Sequence, residues 1–164
     1  MEFLYLESGA IPIRYVIASR RLNFLHTIIR RDDEELTKRI LIAQLDNPCD
    51  GDFAKIVKKD CATIGIPFDM AYVGSSSKEV FRKLVKNKIR AAALEYLKSI
   101  QQKHTKVKDI IYTNLETQPY LRSPLFSNPE TKLLFALRSR TADFKANFSN
   151  LNGGQVECPL HCHS

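Results

Sequence analysis

Two cysteines and two histidines fall within the last seven residues, Cys158-Pro159-Leu160-His161-Cys162-His163-Ser164, shortly after a Gly153-Gly154 turn signal. Thiolate and imidazole are the ligands that a Zn²⁺ ion takes, and a Cys-x3-Cys pair with a neighbouring histidine can grip one ion. A structural zinc site closes on four ligands, usually two pairs across a spacer. Here the chain stops where the second pair is expected. Cys158, Cys162, His161 and His163 are therefore expected to form an incomplete site, and the chain reads as an excerpt from something longer. No cofactor is required by these residues alone; Zn²⁺ would need ligands from outside the 164 residues to be held.

Other chemistry is sparse. The chain has no Gly-rich phosphate loop, no Gly-x-Ser-x-Gly elbow and no His-Glu-x-x-His helix. Asp32-Asp33 is the one adjacent aspartate pair, and a two-metal polymerase site uses such a pair. Its position before Glu34-Glu35 at a helix start suits a cap better, because acids are favoured there by the helix dipole. His26 and His104 have no acid or thiol beside them in sequence and read as core or surface residues. Cys61 falls on an apolar helix face, as a small core residue does, and Cys49 sits in a turn. No catalytic residue is expected, and the chain is read as a non-enzyme.

Charge is the second informative feature. Between Lys78 and Lys108 there are ten Lys/Arg and two acids, Glu79 and Glu95, a net +8 in a chain whose total is +7. Basic charge gathered in one block points to a polyanion more strongly than a diffuse excess does, although the same pattern also suits a solvated helix face. Within the block, Lys78, Arg82, Lys83, Lys86 and Arg90 share one helical face by steps of three and four. Lys88 falls towards the apolar side.

The elements that must position these groups read as helical throughout. Pro12 opens a helix over 13–30 with apolar residues on more than one face (Ile13, Val16, Ile17, Phe24, Leu25, Ile28), so burial on several sides is expected. Asp32 is expected to cap the next helix, with Leu36, Ile40, Leu41 and Leu45 as its apolar stripe and 47–51 as its break. A shorter helix covers 52–64, with Phe53, Ile56, Val57 and Cys61 on one side and Gly65 as its stop. Residues 68–75 read as a loop. Ser76 with Glu79 forms a capping box for the longest helix, which runs to about residue 102. Ala91-Ala92-Ala93 within it would let another backbone approach closely.

Residues 105–127 are irregular, with a short helical piece expected over 107–112. Asn128-Pro129-Glu130 then starts a last helix, expected to reach about Phe148 with Arg138, Arg140 and Lys145 exposed. The expected fold is all-α, an irregular bundle of about five helices over 1–148, followed by a loop and partial Cys/His knuckle over 149–164. The hydrophobic share of 44% and charged share of 26% suit a globular domain. No apolar run approaches the ~20 residues that span a bilayer, and the first residues lack the basic start and apolar middle of a signal peptide. An intracellular protein, nuclear or cytoplasmic, without membrane contact is expected.

Several segments together resemble a known family. Leu4-Tyr5-Leu6-Glu7-Ser8-Gly9-Ala10-Ile11-Pro12-Ile13, Ser19-Arg20-Arg21-Leu22-Asn23-Phe24-Leu25-His26 and Arg31-Asp32-Asp33-Glu34 are similar to the region that follows the reverse transcriptase domain in non-LTR (LINE-type) retrotransposon proteins. Leu137-Arg138-Ser139-Arg140-Thr141, Asn147-Phe148 and Cys158-Pro159-Leu160-His161-Cys162 resemble the same family's tail, where an arginine-bearing helix leads into a zinc-knuckle-like element. The resemblance covers most of the chain apart from about 46–75. It implies a non-catalytic accessory region that holds RNA or DNA near the polymerase domain of the same polyprotein. With the charge pattern, it makes Lys78, Arg82, Lys83, Lys86, Arg90, Arg138 and Arg140 the expected phosphate contacts. The alternative is a helical interaction or structural module whose basic face meets an acidic protein.

Overall fold

A computed structural model describes residues 2–103 and 110–139. Among them the chain is all-α, with eight helices and no strand. Five match the expected elements: α2 (Ile13–Ile29), α3 (Leu36–Asp46), α4 (Phe53–Ile64), α6 (Lys78–Gln101) and α8 (Asn128–Arg138). Three short ones are additional: α1 (Glu2–Ser8), α5 (Met70–Ser75) and α7 (Pro119–Arg122). The expected boundary near residue 148, the continuation of the last helix to Phe148 and the expected helical piece over 107–109 lie outside the described residues. Ile110, Ile111 and Tyr112 are not helical.

The long helices α2 and α6 form the central pair, with α1 laid on α6, α4 against both and α5 on α2. Their shared core holds Leu22, Leu25, Val57, Cys61, Val73, Phe81, Val85, Ile89, Ala93 and Leu97. Each large aliphatic among them contributes about 1.5–3 kcal/mol on burial. Ala93 is buried at the α2–α6 contact, and the Tyr15 hydroxyl donates to the Ala92 carbonyl at 3.2 Å. Arg21 crosses from α2 to α4 and forks onto Asp60 at 2.6 and 2.8 Å.

Burial is less even than the apolar pattern suggests. On α2, Leu25 and Ile28 are buried, but Ile13, Ile17 and Phe24 stay exposed. On α3 only Leu41 is buried, and Leu36 is 70% exposed. The helix is an edge element packed on one side by α4 and α2, so its apolar stripe is wider than the surface available to cover it.

Local capping also shifts from the expected residues. Glu35, not Asp32, is the cap residue of α3, and its N–H bonds the Asp32 carbonyl at 3.0 Å in a turn before the helix. The acids pair instead with bases: Asp33 with Lys38 at 2.6 Å and Glu35 with Arg31 at 2.7 Å. Residues 70–75, expected as loop, form α5 because Asp69 accepts the Ala71 N–H at 2.8 Å and Val73 is buried against the core. The last described helix is capped by Ser127 rather than Asn128, with Glu130 accepting both the Ser127 N–H and hydroxyl at 2.7 Å. These hydrogen bonds keep the Glu130 carboxyl below the usual carboxylate range.

Cys61 is fully buried on α4, as its apolar neighbours imply, and Cys49 is exposed in its turn. Burial, with Asp60 adjoining, pushes the Cys61 thiol up to about 11. It behaves as a small core residue, not as a nucleophile or ligand.

Candidate nucleic-acid interface

The basic face is built on the best-anchored helix of the fold. Phe81, Val85, Ile89, Ala93 and Leu97 of α6 are buried at successive four-residue steps. Lys78, Arg82, Lys86 and Arg90 repeat the same step one position later, so they run as a row beside the buried line. Four residues of α-helix rise about 6 Å, so the row extends about 18 Å. Lys83 flanks it, and Lys88, expected to lean towards the apolar side, is exposed on the opposite flank. All five face residues are exposed, and none takes part in an ion pair among the described residues. Cations left without carboxylate partners add to one positive potential over the surface. The buried line of α6 fixes the spacing of the row along the helix.

The start of α6 is fixed by two neighbouring serines with different tasks. Ser77 is the cap, and its hydroxyl oxygen accepts the Val80 N–H at 3.4 Å. The expected cap, Ser76, lies one residue before the helix cap, and its carbonyl is held from α2: His26 Nε2 lies 3.0 Å away and the Arg30 guanidinium donates at 3.0 Å. A carbonyl only accepts, so Nε2 of His26 carries the proton. The imidazole is buried and stacks on Phe81 with ring centroids 4.8 Å apart, which places His26 in the core, one of the two positions expected for it. A cleft of about 460 Å³ opens here, lined by His26, Thr27, Arg30, Ser77, Lys78 and Glu79.

Arg138 is placed elsewhere. Expected on an exposed helix face as a phosphate contact, it is half-buried and turned inward onto Glu7, with Nε 3.1 Å from both carboxylate oxygens and an Nη 2.9 Å from one. Glu7 is 0% exposed and also accepts from the hydroxyls of Tyr112 and Tyr120, the latter at 2.5 Å. The Tyr120 ring lies 5.7 Å from the Arg138 guanidinium carbon. Arg138 is thus committed to the fold and leaves the set of free cations. Arg140, Cys158, Cys162, His161 and His163 lie outside the described residues.

This buried cluster closes the C-terminal part of the described fold onto α1. The Gln118 N–H donates to the Glu7 carbonyl at 2.9 Å, and Thr117 Oγ1 to the Ser8 carbonyl at 2.7 Å. Gly9 sits at φ +68, where a Cβ would lie 2.4 Å from the Glu116 carbonyl carbon. Only glycine meets both the left-handed backbone and the close crossing. Burial first, and then the adjoining Glu7 carboxylate, hold both phenols above their usual range. A phenol whose pKa rises on folding stabilises the native state fully below its unfolded value, near pH 10, and loses that contribution as pH climbs through the folded value. Urea midpoints are therefore expected to fall above about pH 10, with a flatter fall in Tyr120→Phe.

The cluster was not legible beforehand. Its only sequence signal is a lone acid, Glu7, closing the apolar run Phe3-Leu4-Tyr5-Leu6 ahead of a glycine. Among the described residues no group of three or more His, Cys, Asp or Glu is arranged to hold a metal ion. No helix among them is long and apolar enough to cross a membrane. Comparison with protein-family models, with curated proteins and with solved structures finds no match to this chain.

Proposed function

We propose that this chain is a non-catalytic nucleic-acid-binding region of the kind that follows the reverse transcriptase domain in LINE-type retroelement proteins. It holds RNA or DNA through phosphates along α6, and the polymerase domain of the same polyprotein is its natural neighbour. The observation that carries the reading is the unpaired row Lys78, Arg82, Lys86 and Arg90, flanked by Lys83. A row of cations on a rigid helix grips phosphates by Coulomb attraction and counterion release without reading base sequence. The family-like segments quoted above supply the retroelement part of the reading.

The test is the salt dependence of binding to duplex DNA and structured RNA. If each of the four row cations neutralises one phosphate, the log–log slope on duplex DNA is expected near −3.6, from about −0.9 per phosphate. A flat salt response, or no binding near 50 mM salt, would sink the reading.

A second reading has the basic face meet an acidic protein. It draws on the apolar groove of Phe24, Ile28, Ile40, Leu41 and Phe53 between α2, α3 and α4, since protein interfaces add apolar contact to charge. An acidic polypeptide that displaces bound oligonucleotide and binds more tightly than it at matched charge would favour this alternative.

A further inference from the structure

We infer that the cleft between the end of α2 and the start of α6 seats the terminal phosphate monoester of a nucleic-acid strand that runs along the α6 row. The inference rests on the nucleic-acid reading and adds an end and a direction to it. The cleft adjoins the first rung of the row, because Lys78 belongs to both. Its volume of about 460 Å³ lies within the roughly 300–1,000 Å³ of small-ligand clefts, enough for a phosphate and its adjoining sugar.

The donors are of three kinds and come from two helices. Arg30 spends one N–H on the Ser76 carbonyl and keeps the rest of its fork; it forms no ion pair among the described residues. The Lys78 ammonium is unpaired as well. The Ser77 hydroxyl accepts from Val80 and retains its own proton to donate. Thr27 is already donating to the Asn23 carbonyl at 3.0 Å, so it shapes the wall without adding a donor.

A monoester presents three terminal oxygens and nearly two negative charges, against one charge on an internal phosphodiester. Three donors line the cleft, as many as the group has terminal oxygens. Arg30 and Lys78 outweigh Glu79, the one acid of the lining, so the cleft carries a net positive charge. The wall is also pre-shaped, since His26 and Arg30 both hold the Ser76 carbonyl.

The experiment uses the full chain and internally labelled single strands of one sequence, ended by a 5′-phosphate, a 3′-phosphate or hydroxyls at both ends. One phosphorylated end is expected to bind about tenfold tighter than the hydroxyl-ended strand, the increment of an added charge-assisted anion contact. Arg30→Gln should bring that ratio close to one, scored against its own hydroxyl-ended strand. Because Arg30 also braces Ser76, Lys78→Gln is the second variant, scored on the ratio alone, and it too should lower it. Equal affinity for all three strands overturns the proposal and leaves row binding standing. If no strand binds, the nucleic-acid reading falls, and inorganic phosphate decides the cleft: saturable shifts of the Arg30, Ser77 and Lys78 amide resonances, lost in Arg30→Gln, would retain a phosphate site, and their absence would remove it.

Discussion

Glu7→Ala is expected to lower the unfolding free energy by about 3 kcal/mol, the low end of the cost of removing one partner from a buried charge pair, because Arg138 is only half-buried. The carboxylate is fully buried and meets groups 105, 113 and 131 residues away in sequence. Its loss leaves the Arg138 guanidinium and two phenol hydroxyls without their acceptor, and Tyr112 is buried away from water while Arg138 stays partly exposed. Urea unfolding is the measurement, with Arg138→Met and the double variant completing the cycle. The double variant should cost less than the two singles together, because each single already strands the other's partner. A loss below about 1 kcal/mol for Glu7→Ala, the range of an exposed pair, would show that the cluster does not hold the fold.

The consequence should also be local. α8 buries none of its own residues and packs mainly on α7, with Phe135 against Phe3 at 5.3 Å. Without Glu7, α7 and α8 lose their principal tie to α1, while the α2–α4–α6 core keeps its own contacts. Limited proteolysis of the Glu7→Ala protein is expected to cut first between residues 110 and 139.

Changing Lys83, Lys86 and Arg90 together to Glu is expected to weaken nucleic-acid binding at least about a hundredfold at low salt. Each exposed charge pair is worth about 1 kcal/mol at contact in water, and three such contacts turn from attraction to repulsion. The residues are exposed and bonded to no other side chain, so the urea midpoint should move little. That separation is what makes the variant informative: affinity falls and the fold stays. Arg138, by contrast, is expected to change stability far more than affinity, because its charge is already taken by Glu7. Unchanged affinity in the triple variant would remove α6 from the interface.

Much of the secondary structure follows from local signals. The 3.6-residue periodicity marks α3, α4, α6 and α8, α2 is apolar on several faces, and Pro12, Gly65 and Pro129 punctuate the helices near the observed ends. The row on α6 is likewise local, because residues four apart share a face in any helix. Short elements were less legible. α5 carries no periodicity over six residues and exists because Asp69 caps it and the core receives Val73.

From its sequence alone, then, this protein is all-α, and the basic face of its longest helix is determined, since both depend on neighbours within a turn or two. Tertiary structure alone decided that Ser77 rather than Ser76 caps α6, that Ile13, Ile17 and Phe24 remain exposed, and that Arg138 pairs with the buried Glu7. The reason is physical. A side chain's partner is set by which surfaces the packed helices bring within hydrogen-bonding reach, and a buried carboxylate must recruit donors from whatever segment crosses it, however distant in the chain.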